Sequence, residues 1–204
     1  MLDGNTDENG VPCAFPGCLY TRPADRTDHF QNSSPKLALM VDLTPGLVGY
    51  LNVMEGFRPP EMTELYRLQR GQQVADLDSE SLDSVELGLK GAWTSVEFAV
   101  AAFDMDKSGV ILRESNGYNV ANGRTTHRGV EYEMRWRPWP YLEATVAGTY
   151  ARHRYDFSRS IEGGETIVAG NDVDTAPRDL LRAALAWQPT PALATEVEWL
   201  VVGD

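Results

Sequence analysis

Residues 128–138 read RGVEYEMRWRP. Val130, Tyr132, Met134 and Trp136 recur at every second position, and Glu131, Glu133, Arg135 and Arg137 fill the places between them. Successive side chains of a strand point to opposite faces, so this is a strand with one apolar face and one densely charged face. The next segment, YLEATVAGTYA, repeats the alternation. Leu142, Ala144, Val146, Gly148 and Tyr150 stand against Glu143, Thr145, Ala147 and Thr149. Only Pro138-Trp139-Pro140 separates the two runs, which predicts a tight hairpin. Val130, Tyr132, Met134, Trp136, Leu142, Ala144 and Val146 are expected to point outward on a curved antiparallel sheet. Glu131, Glu133 and Arg135 are expected on its concave side.

The same unit recurs along the chain. Strands are predicted over 35–43 and 47–57, over 82–91 and 95–106, and over 178–188 and 192–202. Their turns fall at 44–46, 92–94, 138–140 and 189–191. The result is four hairpins and about eight strands. The connections between hairpins, 58–81, 107–124 and 157–176, are each roughly twenty residues long and polar. Loops of that length argue against an ordinary soluble domain, whose connections are short. A transmembrane β-barrel, by contrast, has short turns at one end and long loops at the other. Trp93, Trp136, Trp139, Tyr141 and Trp187 cluster at the short-turn end, where an interfacial aromatic girdle belongs. A soluble β-sandwich with the same alternation remains the second reading.

Bulk composition narrows the field. The chain has 204 residues, a net charge of −12 and 42 % hydrophobic residues. Its mean hydropathy of −0.34 is compatible with a barrel, because lipid-facing residues occupy only alternate positions. No stretch approaches a membrane helix. The acidic balance argues against nucleic acid, which is bound by neutralising phosphates with Lys and Arg. Cys13 and Cys18, in PCAFPGC, are separated by four residues between Pro and Gly turns. A small-loop disulfide is the natural reading, with unpaired thiols or a metal site as alternatives. A disulfide places that segment outside the cytoplasm. MLDGNTDENG has the character of no signal peptide, so either the protein stays where it is made or a preceding segment is missing.

GFRPPEMTELY (56–66), followed by LDSESLDSVELGLKG (77–91), resembles the C-terminal barrel region of TonB-dependent outer-membrane receptors. FAVAAFDMDKSGVI (98–111) is similar to that family's next ascending strand. NGRTTHRGVEYEMRWRP (122–138) carries Gly129, Val130 and Glu131 where the family shows an Arg-Gly-Val-Glu core. The resemblance runs from about Ser34 to the last residue. It implies an all-β fold: an open arc of an antiparallel up-and-down barrel of about 22 strands. Residues 1–33 are then expected as an extracellular loop and 34–204 as barrel strands and loops. The chain is expected to be a fragment, because no plug domain or TonB box is recognisable and EWLVVGD breaks off at a strand.

The implied function is TonB-energised uptake of a scarce ligand such as a ferric siderophore, cobalamin or an oligosaccharide, across the bacterial outer membrane. The resemblance implies no enzyme and no cofactor. The implied partners are outer-membrane lipid, a small-molecule or metal-chelate ligand, and the TonB complex through parts outside this chain. A passive porin-type barrel is the alternative transport reading. Pro59 and Pro60 end regular strand pairing, and EMTELYRLQRGQ is expected as a structured part of a long loop. Arg67, Arg70, Tyr118 and Arg124 combine charge or aromaticity with a loop position and are the candidate ligand contacts.

Other motifs carry less. DMDKSGVILRES (104–115) matches a calcium loop at several places, yet its twelfth position is Ser115 rather than a bidentate Glu. A strand running into a polar loop is expected instead. His29, His127 and His153 are far apart in sequence and lack metal-ligand spacing, so they are expected as wall or loop residues. Glu131 and Glu133, roughly 7 Å apart along the strand, are expected in a charge ladder with Arg135 and Arg137 rather than as a catalytic pair.

Overall fold

The computed structural model describes residues 20–21, 26–69, 75–113, 119–160, 166–174 and 176–203. In chain order the elements are β1 (Tyr20–Thr21), β2 (Lys36–Thr44), β3 (Leu47–Arg58), α1 (Met62–Tyr66), β4 (Leu68–Gln69), β5 (Glu80–Ala92), β6 (Val96–Arg113), β7 (Asn119–Trp139), β8 (Leu142–Tyr155), β9 (Arg159–Ser160), β10 (Thr166–Ile167), β11 (Asp179–Thr190) and β12 (Leu193–Val202). Eight of them form one antiparallel sheet in the order β12-β11-β8-β7-β6-β5-β3-β2. Each strand pairs with its predecessor in that series, so the topology is an open up-and-down meander. The four remaining strands form two minor two-stranded pairs, β1 with β4 and β9 with β10.

The predicted strands and turns recur within one or two residues, with turns at 45–46, 93–95, 140–141 and 191–192. The loop expected over 107–124 is different. β6 continues to Arg113 and β7 begins at Asn119, so most of that segment is strand. Polar composition misled there, because a strand end that stands clear of an apolar layer has no need of apolar residues. The near-calcium loop is likewise strand through Arg113, and Asp104 binds Arg128 at 2.9 Å.

The register sorts side chains into two faces. Val41, Gly49, Leu89, Val100, Tyr132, Gly148, Leu181 and Val201 lie side by side across all eight strands. The neighbouring row on the opposite face contains Asp42, Lys90, Glu133 and Arg182. Among the described residues no second sheet covers the apolar face. Val130, Tyr132, Met134 and Trp136 there stay 38–44 % exposed.

The upper edge of this apolar band is slanted. It ends at Leu37, Val53 and Val85 on β2, β3 and β5, and one step lower in register at Ala102, Val130 and Tyr150 on β6 to β8. On β11 and β12 it ends lower again, at Leu181 and Val201, because Asp179 pairs with Tyr150. Glu55, Asp83, Asp104, Arg128 and Arg152 take the next places on that face. A stepwise drift of this kind is the pattern that tilted strands crossing a flat apolar slab would have.

The sheet has no conventional core. The one buried apolar cluster among the described residues is Leu65, Leu68, Ala75 and Leu77, packed against Tyr66, Ile111 and Ala121 at the long-loop end. The stretch after β3 is therefore a small folded cap. Pro59 and Pro60 stop the ladder, and α1 starts at once, the Glu61 N–H donating to Glu64 Oε2 at 2.6 Å.

Candidate functional site

The cap is fastened to the sheet by one carboxylate. Glu80, at the start of β5, is 2 % exposed. Its Oε2 accepts from Arg58 Nε at 2.9 Å and meets Lys107 Nζ at 2.7 Å, while Oε1 accepts the Ile111 N–H at 2.8 Å. Burial pushes this carboxyl up, but Arg58, Lys107 and the Ile111 N–H outweigh it and hold it down at about 2. The Arg58 guanidinium is raised by the same bond to Glu80 and by a fork onto Glu64, with 3.1 Å to each oxygen. Arg58 thus ties β3, β5 and α1 together, which accounts for the Arg-Pro-Pro at that rim. Asn119 Nδ2 donates to the Glu64 carbonyl at 2.8 Å, so β7 is joined to the cap as well. Tyr66 donates its hydroxyl to Asp28 at 2.5 Å, and Arg26 pairs with the same carboxylate.

A cleft of about 380 Å³ opens between this cap and the ends of β6 and β7. Arg67 and Arg113 supply positive charge to it, Glu61 and Glu64 negative charge, and Thr63 and Asn119 neutral hydrogen-bonding groups.

The four candidate contacts divide. Arg67 lines the cleft. Arg124 does not: it stands on the same face of β7 as Val130 and Tyr132, is 60 % exposed, and lies 3.8 Å from Asp156. Arg70 and Tyr118 lie outside the described residues, as do Cys13 and Cys18. Arg113 and Asn119 went unnoticed in the sequence because their segment read as loop rather than as long strands converging on α1.

Below the cap, the charged face carries the expected ladder with a different membership. Arg135 meets Glu97 at 3.2 Å, Arg137 meets Glu97 at 3.4 Å, and Arg137 meets Glu143 at 2.6 Å. Arg182 and Glu198 form a further pair at 2.9 Å. The acidic partners come from neighbouring strands, Glu97 on β6 and Glu143 on β8, because cross-strand neighbours are closer than residues two apart on one strand. Glu131 and Glu133 share this face without joining those pairs.

His127 and His153 are wall residues, as expected, and the register brings them together although they are far apart in sequence. They are register partners on β7 and β8, with Nδ1 atoms 2.8 Å apart.

Comparison with known proteins agrees with this geometry. The family model described as TonB dependent receptor-like, beta-barrel matches residues 7–204. No curated protein matches the chain in sequence. Among solved structures, the ferric yersiniabactin uptake receptor FyuA from Yersinia pestis has a TM-score of 0.62 at 20 % identity, covering 82 % of this chain and 25 % of its own. The ferric-catecholate import receptor Fiu from E. coli K12 has a TM-score of 0.67 at 14 % identity, covering 100 % and 30 %. The siderophore receptor PiuA from Acinetobacter baumannii gives 0.65 at 13 %, covering 82 % and 25 %. The chain therefore spans about a quarter to a third of these structures, and at such identities the likeness is one of fold.

Proposed function

The chain belongs to the TonB-dependent receptor β-barrel family, and from that premise we propose that it forms part of a bacterial outer-membrane receptor for energised uptake of a scarce ligand. A ferric siderophore is the favoured class, since several structural neighbours are named for such ligands; cobalamin and oligosaccharides are the alternatives. Capture falls to the long-loop end, and passage follows the charged face once TonB acts through segments outside this chain. The slanted apolar band meets lipid. Residues 1–33 belong to an extracellular loop closed by a Cys13–Cys18 disulfide, and 34–204 to the barrel. No chemistry is performed on the ligand.

The observation that carries this reading is the cleft at the long-loop end, built from Arg67, Arg113, Glu64 and Asn119. Arg67, Arg70 and Tyr118 remain proposed contacts. Arg124 is the weakest member because it faces away from the cleft.

The test places the full-length protein in a receptor-null strain. Deletions confined to the connections 59–79, 114–118 and 156–178 should abolish uptake and ligand binding, while substitutions in the four short turns should be silent. Unchanged uptake after all three deletions would end the proposal. Uptake that persists without TonB would point to a passive barrel instead.

A further inference from the structure

His127 and His153 form the most sharply defined side-chain pair outside the cap. Their ring centroids are 5.0 Å apart, the planes are tilted by 54°, and the two Nδ1 atoms face each other at 2.8 Å. Two neutral imidazoles at that separation share one proton, so at least one lone pair is aimed at the opposite ring. The other nitrogen of His127 is occupied: Nε2 lies 2.9 Å from Oγ1 of Thr125. Thr125 is only 6 % exposed, so its hydroxyl fixes the rotation of the ring. An outer partner of this kind orients histidine ligands in metal sites.

A third donor stands in the same row. Met105 on β6 is the register partner of His127, on the same face. Directly opposed residues have Cβ atoms about 4.5–5.5 Å apart, within reach of an unbranched thioether. Three adjacent strands thus carry one thioether residue and two imidazole residues side by side in register. The rest of the row, Ser84, Met54 and Lys36, contains no carboxylate. The nearby Lys107 ammonium is taken up by Glu80.

We propose that Met105, His127 and His153 bind one soft monovalent metal ion, Cu(I) or its analogue Ag(I), through Sδ and the two Nδ1 atoms. The thioether supplies the preference for Cu(I), imidazole suits copper among other transition metals, and hard cations require oxygen donors. Metal–nitrogen bonds of about 2.0–2.1 Å at the roughly 120° angle of a three-coordinate ion put two nitrogens about 3.6 Å apart. The pair opens by somewhat less than an ångström to admit the ion, a side-chain adjustment. The shared proton leaves Nδ1 for the ring's Nε2 or for solvent, and no electron is transferred. The site's existence depends on the register alone. Its placement on a transport route rests on the receptor reading above.

The experiment titrates full-length protein in detergent, under reducing anaerobic conditions, with Cu(I) delivered from a competing chromophoric chelator and with Ag(I) in parallel. One equivalent should bind, and X-ray absorption should report two nitrogens and one sulfur. His127→Ala and His153→Ala should each weaken binding about 10–100-fold. The near-isosteric Met105→Leu should weaken it about tenfold, while His29→Ala should leave it unchanged. Heat-modifiable gel mobility reports folding of each variant. Absence of stoichiometric binding by the wild type would overturn the proposal and leave a hydrogen-bonded pair only. A sulfur-free shell, or full affinity in Met105→Leu, would overturn the soft-metal assignment. These readouts do not involve uptake, so they fail or succeed separately from the receptor reading.

Discussion

Glu80 is the residue on which the long-loop end depends. It is 3 % exposed at the side chain and serves Arg58, Lys107 and a backbone N–H at once. Removing one partner of a buried ion pair strands the others, at a cost of about 3–5 kcal/mol. Because Arg58 and Lys107 are partly exposed and can rehydrate, Glu80→Ala should cost about 2–4 kcal/mol on that same scale. Protease nicking within 58–80 and urea unfolding in detergent would both measure it. The folded carboxyl lies at about 2, below its ordinary value of 4.5. Its contribution is therefore complete above pH 4.5 and is lost as pH falls from there through 2. Glu80→Gln should flatten the acid limb of the stability profile in that window. An unchanged acid limb would show that the cap is held by its apolar cluster instead.

Gly148 illustrates a second residue-scale constraint. A Cβ built there would lie 2.5 Å from the Tyr132 hydroxyl and 2.7 Å from the Leu180 carbonyl oxygen. The Tyr132 ring covers the glycine from the neighbouring strand, so the two form one unit of the apolar face. Gly148→Val should push the ring aside and lower stability by about 1–3 kcal/mol, as overpacking does. Denaturant midpoints in detergent would record the shift.

At the scale of the strand, the two faces should respond differently to charge. Val100 lies in the row that is apolar across all eight strands. Val100→Arg should cost about 2–4 kcal/mol of folding into a bilayer, the range for arginine on a lipid face near the midplane. Glu133→Gln, one row away on the charged face, should stay within about 0.5 kcal/mol. Folding yields into lipid vesicles would separate the two. Equal tolerance would contradict the assignment of the apolar face to lipid. Strand existence was legible because the alternation is a local property. Strand length was not: Lys107 to Arg113 and Asn119 to Arg124 look like loop by composition, yet they extend β6 and β7 beyond the apolar band.

The whole sheet is open, and both β2 and β12 have one unpaired side. Leu37 at one margin is 70 % exposed and Val202 at the other 71 %. Unpaired strand edges template further pairing. Residues 1–204 produced alone should therefore form oligomers or precipitate in detergent, and Leu37→Lys with Val202→Lys should shift them toward monomer. Size-exclusion chromatography with light scattering distinguishes these outcomes. A stable, closed monomer from this chain alone would contradict the open-sheet account.

The sequence by itself determined the eight strands, their sequential antiparallel order, the separation of apolar from charged faces and the places of the four short turns. Each follows from residue type at period two and from turn residues, which act over a few positions. Tertiary structure alone decided which side chains meet. Arg58 finds Glu80 across 22 residues, Asn119 reaches the Glu64 carbonyl across 55, and His127 faces His153 across 26. Those meetings depend on register, and register is set jointly by every turn and bulge between the partners. No spacing rule within the chain encodes it.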